Sequence, residues 1–295
     1  MSGFETEMLP VLQAVLSGIL VGGVYGLLSI GLSLAFGVMR IVNFAHGDLV
    51  MYGMYVGVVA STLFGVDPLY ALPASFVLMA ILGALQYRLV FRRFVGHTTL
   101  NQLLAAIGLG LALQMVAQLV FGVDARSATS IFAGKYDLIG PFFLARAQIV
   151  AFGVALVATI LVELLLRKTQ WGKAVRAVAD NIEAAEIVGL KSQRINLMAF
   201  ALSCGLAGIA GTVMVTYYPT DPTKGFALMP IAIIATTIGG LGSIGGAFLG
   251  GIFCGIIQQT TAMLWNSALQ DVPLYILLLL FIAYRPMGLF GQRSE

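Results

Sequence analysis

The chain has 295 residues, 59% of them hydrophobic and only 10% charged, with 16 Lys and Arg against 13 Asp and Glu and a mean hydropathy of +0.97. A soluble domain carries about a quarter charged residues, so a soluble globular fold is excluded and a polytopic membrane protein is implied. The net charge of +3 points to no nucleic-acid partner, and the two cysteines, both inside apolar runs, give neither a disulfide framework nor metal-ligand spacing.

A membrane-crossing helix needs roughly 20 apolar residues. Eight strong candidates cover about 9–36, 44–65, 69–91, 99–121, 147–166, 195–217, 243–265 and 272–284, and a short one covers 226–240. The expected fold is all-α, a single transmembrane domain over 1–295 forming a helical bundle of about eight to nine spans with Gly-broken helices. Helices are required because backbone groups in lipid must be satisfied within the segment, and the alternating pattern of a barrel is absent. The first residues carry Glu5 and Glu7 and no basic n-region, so the first span is expected to be retained rather than cleaved.

Glycines recur at helical small-xxx-small spacing: Gly18, Gly22 and Gly26 in the first span, Gly53 and Gly57 in the second, and Gly242, Gly246, Gly250, Gly251 and Gly255 near the eighth. Hydrophobicity drives helices together only weakly in lipid, and small residues that let backbones approach supply the packing.

The second span opens on a polar cluster, Asn43, His46 and Asp48, which costs several kcal/mol if it faces lipid. Two readings stand. In one, Asn43 caps the span and His46 and Asp48 satisfy backbone ends at its cytoplasmic mouth; in the other, the cluster is a gate or a proton-sensitive element. Further along, Gln114 and Gln118 share a helix face, Glu163 is placed to pair with Arg167, and Gln258 and Gln259 neighbour Thr260 and Thr261. These are expected to bond between helices or to line a path.

The segment from Thr169 to Ile195 is the one long polar insert, predicted as a charged helix held between two spans and presented to a soluble partner. Placing Arg40, Arg88, Arg92, Arg93, Arg167, Lys168, Lys173, Arg176, Lys191, Arg194, Arg285 and Arg293 on one side and Arg126, Lys135, Arg146 and Lys224 on the other gives 12 against 4. The richer side faces the cytoplasm. The N-terminus and the 122–146 loop are then outside, and the 167–194 insert and the C-terminus inside. The tail from Arg285, including Gln292–Glu295, is expected to be dispensable for partner binding.

Gly239, Gly240, Gly242, Gly245 and Gly246, with Ser243 among them, put five glycines in eight positions. Each weakens a helix by about 1 kcal/mol relative to Ala, which predicts a non-helical break or tight turn between half-spans that moves during transport. Broken helices in transporters line the cavity.

No phosphate-binding loop, dinucleotide fingerprint or soluble stretch long enough for a nucleotide-binding domain is present, so the chain cannot hydrolyse ATP itself. No nucleophile–base set or carboxylate pair suggests an enzyme, although an intramembrane enzyme or structural anchor stays open, as does a stand-alone channel or secondary carrier.

Three segments taken together, Asn43-Phe44-Ala45-His46-Gly47-Asp48 with Met51-Tyr52-Gly53, Glu183-Ala184-Ala185-Glu186-Ile187-Val188-Gly189-Leu190, and Gly239 to Ala247, resemble the permeases of the high-affinity branched-chain amino-acid ABC importers, closest to the shorter, LivH type. The resemblance runs over essentially the whole chain. It implies a permease in the bacterial inner membrane that works with a second related permease, two cytoplasmic ATP-binding subunits and a periplasmic solute-binding protein. It implies no cofactor. The substrate class implied is branched-chain or other hydrophobic amino acids, with urea, amides and aromatic acids carried by similar machinery. Asn181 to Lys191 would be the coupling helix on the ATPase, involving Asn181, Glu183, Ala184, Ala185, Glu186, Gly189 and Leu190, with Ala185 and Gly189 at the close contact. Tyr25, Asn43, His46, Asp48, Tyr52 and the Gly239–Gly246 segment are the candidate pathway or gate, and the path itself is expected to be an apolar tunnel with few fixed charges.

Overall fold

The computed structural model describes residues 3–95, 98–139 and 141–284. In chain order it has α1 (Gly3–Met39), α2 (His46–Leu63), a 3₁₀ turn (Pro68–Ala71), α3 (Leu72–Gln86), a π-helical turn (Tyr87–Phe91), α4 (Arg92–Phe94), α5 (Thr99–Phe121), the strands β1 (Tyr136–Ile139) and β2 (Phe142–Ala145), α6 (Arg146–Lys168), α7 (Gln170–Asp180), α8 (Ile182–Ile187), α9 (Ser192–Met214), α10 (Lys224–Gly239), α11 (Ile244–Leu264), a 3₁₀ turn (Ser267–Leu269) and α12 (Val272–Tyr284). The tail from Arg285, for which dispensability is expected, lies outside the described residues.

Among the described residues seven helical segments are long and apolar enough to cross a membrane, and α10 is a shorter apolar helix. The chain is a multi-pass, essentially all-α membrane protein. Seven of the eight strong candidates are among these segments. The exception is the second span, because α2 is only 18 residues long and begins on His46, Gly47 and Asp48.

The buried centre is built on α1 and α9, while α3, α5, α6 and α12 turn most of their surfaces outward. Helix α1 runs antiparallel to α11 along a glycine seam. A methyl group added to Gly18 would lie 2.6 Å from the Ile256 Cα, and one added to Gly22 would lie 2.6 Å from the Ile252 Cα. From the other side, Gly251 and Gly255 lie directly against the backbone of Gly26 and Gly22. Only hydrogen fits, and the reward is close backbone contact where lipid offers no hydrophobic drive. A second seam joins α2 to α9, with Gly53 against Gly208 and Gly211 against the Val50 carbonyl. Thr212 Oγ1 bonds the Gly53 carbonyl at 2.9 Å and the Ser75 hydroxyl at 2.7 Å, tying α2, α3 and α9 together.

At the end of α1 the chain reverses at Arg40, whose φ of +54° is the one positive value at a non-glycine among the described residues. Residues 41–45 then run back beside α1, with Ile41, Asn43 and Ala45 fully buried. As a result α2 starts at mid-depth. The His46 ring lies beside Gly31, and Ser203, the midpoint of α9, donates to the Gly31 carbonyl at 2.6 Å.

The loop between α5 and α6 carries the antiparallel β1–β2 hairpin, with Leu138 opposite Phe143. Asp67 anchors this loop by accepting from Ser130 Oγ at 2.9 Å and Ile131 N at 2.7 Å, while Arg126 bridges the backbone of Thr220.

Candidate functional site

Three features have the geometry of a working site: a junction of broken helices at mid-depth, an apolar cavity beside it, and a helical handle at the arginine-rich end.

The junction is centred on Asp48, which is 2% exposed. Its Oδ1 accepts from Gln114 Nε2 at 3.0 Å. Its carboxylate faces Gly110, the midpoint of α5, and its backbone abuts Gly225 in the first turn of α10, where a methyl group would lie 2.6 Å from the Asp48 Cα. No basic side chain pairs with it among the described residues. Two helix ends lie beside it. Asp48 sits in the first turn of α2 and against the first turn of α10, so two positive dipole ends converge on one carboxylate.

The neighbouring candidates fall into place around it. His46 Nε2 lies 3.2 Å from the Leu28 carbonyl, and its Nδ1 is buried without a partner. Asn43 does not cap α2. Ala45 occupies the N-cap with no side-chain bond, and Asn43 Oδ1 instead accepts from Ala45 N at 3.1 Å, leaving its Nδ2 buried and unpaired. The expected placement at the cytoplasmic mouth is corrected with it: the return of residues 41–45 carries the cluster to the middle of the bundle. Tyr52 bonds the Leu113 carbonyl of α5 at 3.0 Å. Tyr25 stands apart, donating to Gln258 Oε1 at 2.7 Å, while Gln258 Nε2 donates to Asp271 at 2.6 Å.

Tyr52 also lines a cavity of about 380 Å³ with Tyr55, Val56, Phe64, Tyr70 and Phe121, between α2, α3 and the end of α5. Its wall is almost wholly apolar, and Tyr55 stacks on Phe121 at 4.0 Å and 6°. The volume is at the lower end of the roughly 300–1,000 Å³ usual for small-molecule sites.

The glycine segment is a tighter object than expected. Gly239 closes α10, Gly245 and Gly246 are in the first turn of α11, and only Gly240 to Ser243 is non-helical. Gly240 and Gly242 have φ of +94° and +85°, a region that favours glycine. Ser243 caps α11 by accepting from Gly246 N at 3.2 Å, and Ser33 of α1 accepts from Gly242 N at 3.0 Å. Gly239 and Gly246 lie with the backbone of each against the other. The expected half-spans are half corrected, because α10 is short but α11 is a full-length helix.

The polar insert folds as two helices. Thr169 caps α7 by accepting from Gly172 N at 3.0 Å, and Val175 and Val178 bury its apolar face against α1 and α9. Asn181 ends α7 and caps α8, accepting from Ala184 N at 2.9 Å. The helix expected over Asn181–Lys191 is therefore limited to Ile182–Ile187, and the chain leaves it through a turn. Ala185 is 3% exposed and packs into the chain's own core, so it is not free for an outside contact. Gly189 has φ +87° and open space around it within the chain, so the left-handed turn that ends the helix already favours a glycine there. Glu183, Ala184 and Glu186 are exposed, Leu190 is half-buried, and Glu186 accepts from the Ser192 hydroxyl. At the tip, Ile187 is 86% and Val188 75% exposed.

Sequence reasoning passed over Ile187 and Val188, whose only signal is two apolar residues in a polar run. It also missed the Asp48–Gln114 pairing and the role of Asp271. Gln114 was visible as a polar residue in an apolar span, but its partner lies 66 positions away.

Residues 14–282 match the family model described as branched-chain amino acid transport system, permease component. The chain is 28% identical over 299 residues to the high-affinity branched-chain amino acid transport system permease protein BraD of Pseudomonas aeruginosa, covering 97% of each chain. It is 28% identical over 300 residues to the corresponding protein LivH of Escherichia coli K12, again covering 97% of each. Among solved structures, PsaBC from Streptococcus pneumoniae in complex with Fab matches with a TM-score of 0.50 at 15% identity, over 96% of this chain and 94% of that one, a likeness of fold.

Proposed function

We propose, from the premise that this chain belongs to the branched-chain amino acid transport system permease family, that it forms the membrane path of an ATP-driven importer for branched-chain or other hydrophobic amino acids. ATP is hydrolysed by two cytoplasmic partner subunits, a second related permease completes the path, and a solute-binding protein delivers substrate from outside. The N-terminus and the β-hairpin loop face outward and the α7–α8 handle faces the cytoplasm, in keeping with the 12-to-4 division of Lys and Arg. The path follows α2 and α10, where irregular backbone reaches membrane depth. Such backbone is tolerated there only when it is buried in protein or lines a cavity. Asp48, His46 and Tyr52 are the gate, and the apolar cavity beside Tyr52 suits an aliphatic side chain.

The observation that carries this reading is the α7–α8 handle, which is anchored on its own bundle through Val175, Val178 and Ala185 and ends in two exposed apolar residues, Ile187 and Val188. An apolar tip on a polar helix pair is the anchor type that fills a partner's pocket. Changing Ile187 and Val188 together to Asp should abolish co-purification of the ATPase subunits and substrate uptake, while the permease still inserts. Wild-type coupled uptake by that double variant would overturn the assignment.

A further inference from the structure

At the arginine-rich end of the bundle a pocket of about 160 Å³ lies between the π-helical turn and α4 on one side and the start of α9 on the other. It is lined by Tyr87, Arg88, Arg92, Gln193, Arg194 and Leu197. Three arginines line it, and none of them has an acidic partner among the described residues, where the ion pairs are Arg146–Asp137 and Arg167–Glu163. The π-helical turn widens the helix by one residue per turn, and it places Arg88 and Arg92 on the side facing Arg194. Next to the lining residues in sequence, Gln86 is 4% and Asn196 3% exposed, and both amide atoms of Gln86 and the Oδ1 of Asn196 have no protein partner.

One turn from the arginines on each helix, Leu85 is 50% exposed on α3 and Met198 is 52% exposed on α9, so the charged pocket is bordered by exposed apolar side chains. A cationic pocket bordered by exposed apolar surface complements a molecule with an anionic head and a hydrocarbon tail. Basic pockets between spanning helices at the cytoplasmic surface bind phospholipid head groups, and guanidinium forks match phosphate oxygens in pairs.

We propose that this pocket is a binding site for an anionic phospholipid, whose phosphate is held by Arg88, Arg92 and Arg194 and whose acyl chain lies along Leu85 and Met198. The site shares no residue with the gate or with Ile187 and Val188, and it stands whether or not the transported substrate is an amino acid. A lipid wedged there bridges α3 and α9, so it serves as a structural ligand of the permease.

The test uses the purified, delipidated transport complex, with bound lipid counted by native mass spectrometry after addition of phosphatidylglycerol, phosphatidylcholine or inorganic phosphate. Phosphatidylglycerol should be retained and should raise the thermal midpoint, with phosphatidylcholine doing neither. Arg→Gln at one of the three positions should weaken retention about fivefold, and at all three about a hundredfold. Arg93→Gln, outside the pocket, should leave it unchanged. Arg→Lys at the three positions should restore part of the retention, which separates loss of charge from misfolding. Equal retention by the triple Gln variant would overturn the site. Equal protection by inorganic phosphate would replace the lipid with a free anion. Loss of the ATPase subunits from the lipid-free triple variant would assign the arginines to the protein partner instead.

Discussion

Gly189 ends α8 in a left-handed turn, next to the exposed apolar tip of the handle. Its sequence context suggests a glycine that lets two proteins approach, but the backbone at φ +87° and the empty space around its Cα identify the turn that closes α8. Placing an ordinary side chain in that region costs roughly 1–2 kcal/mol, and Asn tolerates it best. Gly189→Asn should therefore keep substrate-stimulated ATP hydrolysis within about twofold of wild type, while Gly189→Val should lose most of it. If Asn is as damaging as Trp in the reconstituted complex, contact with the partner rather than backbone geometry decides the position. Asp48 carries the complementary lesson. Its carboxylate, with no cation beside it among the described residues, is bonded by a glutamine and lies beside two helix ends, and its neighbours in sequence announce none of these.

At the scale of elements, the glycine seam between α1 and α11 is the strongest local determinant of the fold. Gly22 faces the Ile252 Cα at a distance that excludes any side chain, and both partners of the clash are helix backbone, which yields least. Gly22→Val should destabilise the protein by at least about 3 kcal/mol and remove the folded species from size-exclusion chromatography. Gly153, with open space around it, should accept Val with no such loss. This seam was legible in the sequence because small residues four apart have one common use in lipid. The full-length helices were legible for a similar reason, since hydropathy over 20 residues is a local property. The start of α2 was not, because the reversal at Arg40 and the return of residues 41–45 depend on packing against α1 and α9, elements that lie far away along the chain. The coupling segment shows the same limit. Its position was plain from its polarity, but the split into α7 and α8 at Asn181 and the burial of Ala185 come from contacts with the bundle.

For the molecule as a whole, the division of positive charge predicts an orientation that labelling can check. Both native cysteines, Cys204 and Cys254, are fully buried and should not react. Tyr136 on β1 is 63% and Ile187 is 86% exposed. In right-side-out vesicles a membrane-impermeant maleimide should label Tyr136→Cys and leave Ile187→Cys untouched until the vesicles are broken. The reverse pattern would invert the protein and move the handle to the other side. The way the handle is fastened has a mechanical consequence. Thr169 grips both sides of the α6–α7 joint, donating to the Leu165 carbonyl at 2.5 Å and accepting from Gly172 N, and Arg176 reaches back to the Leu166 carbonyl. A joint clamped three times is a weld rather than a hinge. With 11 residues in α7, a tilt of α6 and α7 together by roughly 10° swings the far end of α7 through about 3 Å, and the same tilt run backwards turns a small push on Ile187 into torque on α6, which packs on α1 with Phe152 against Gly23.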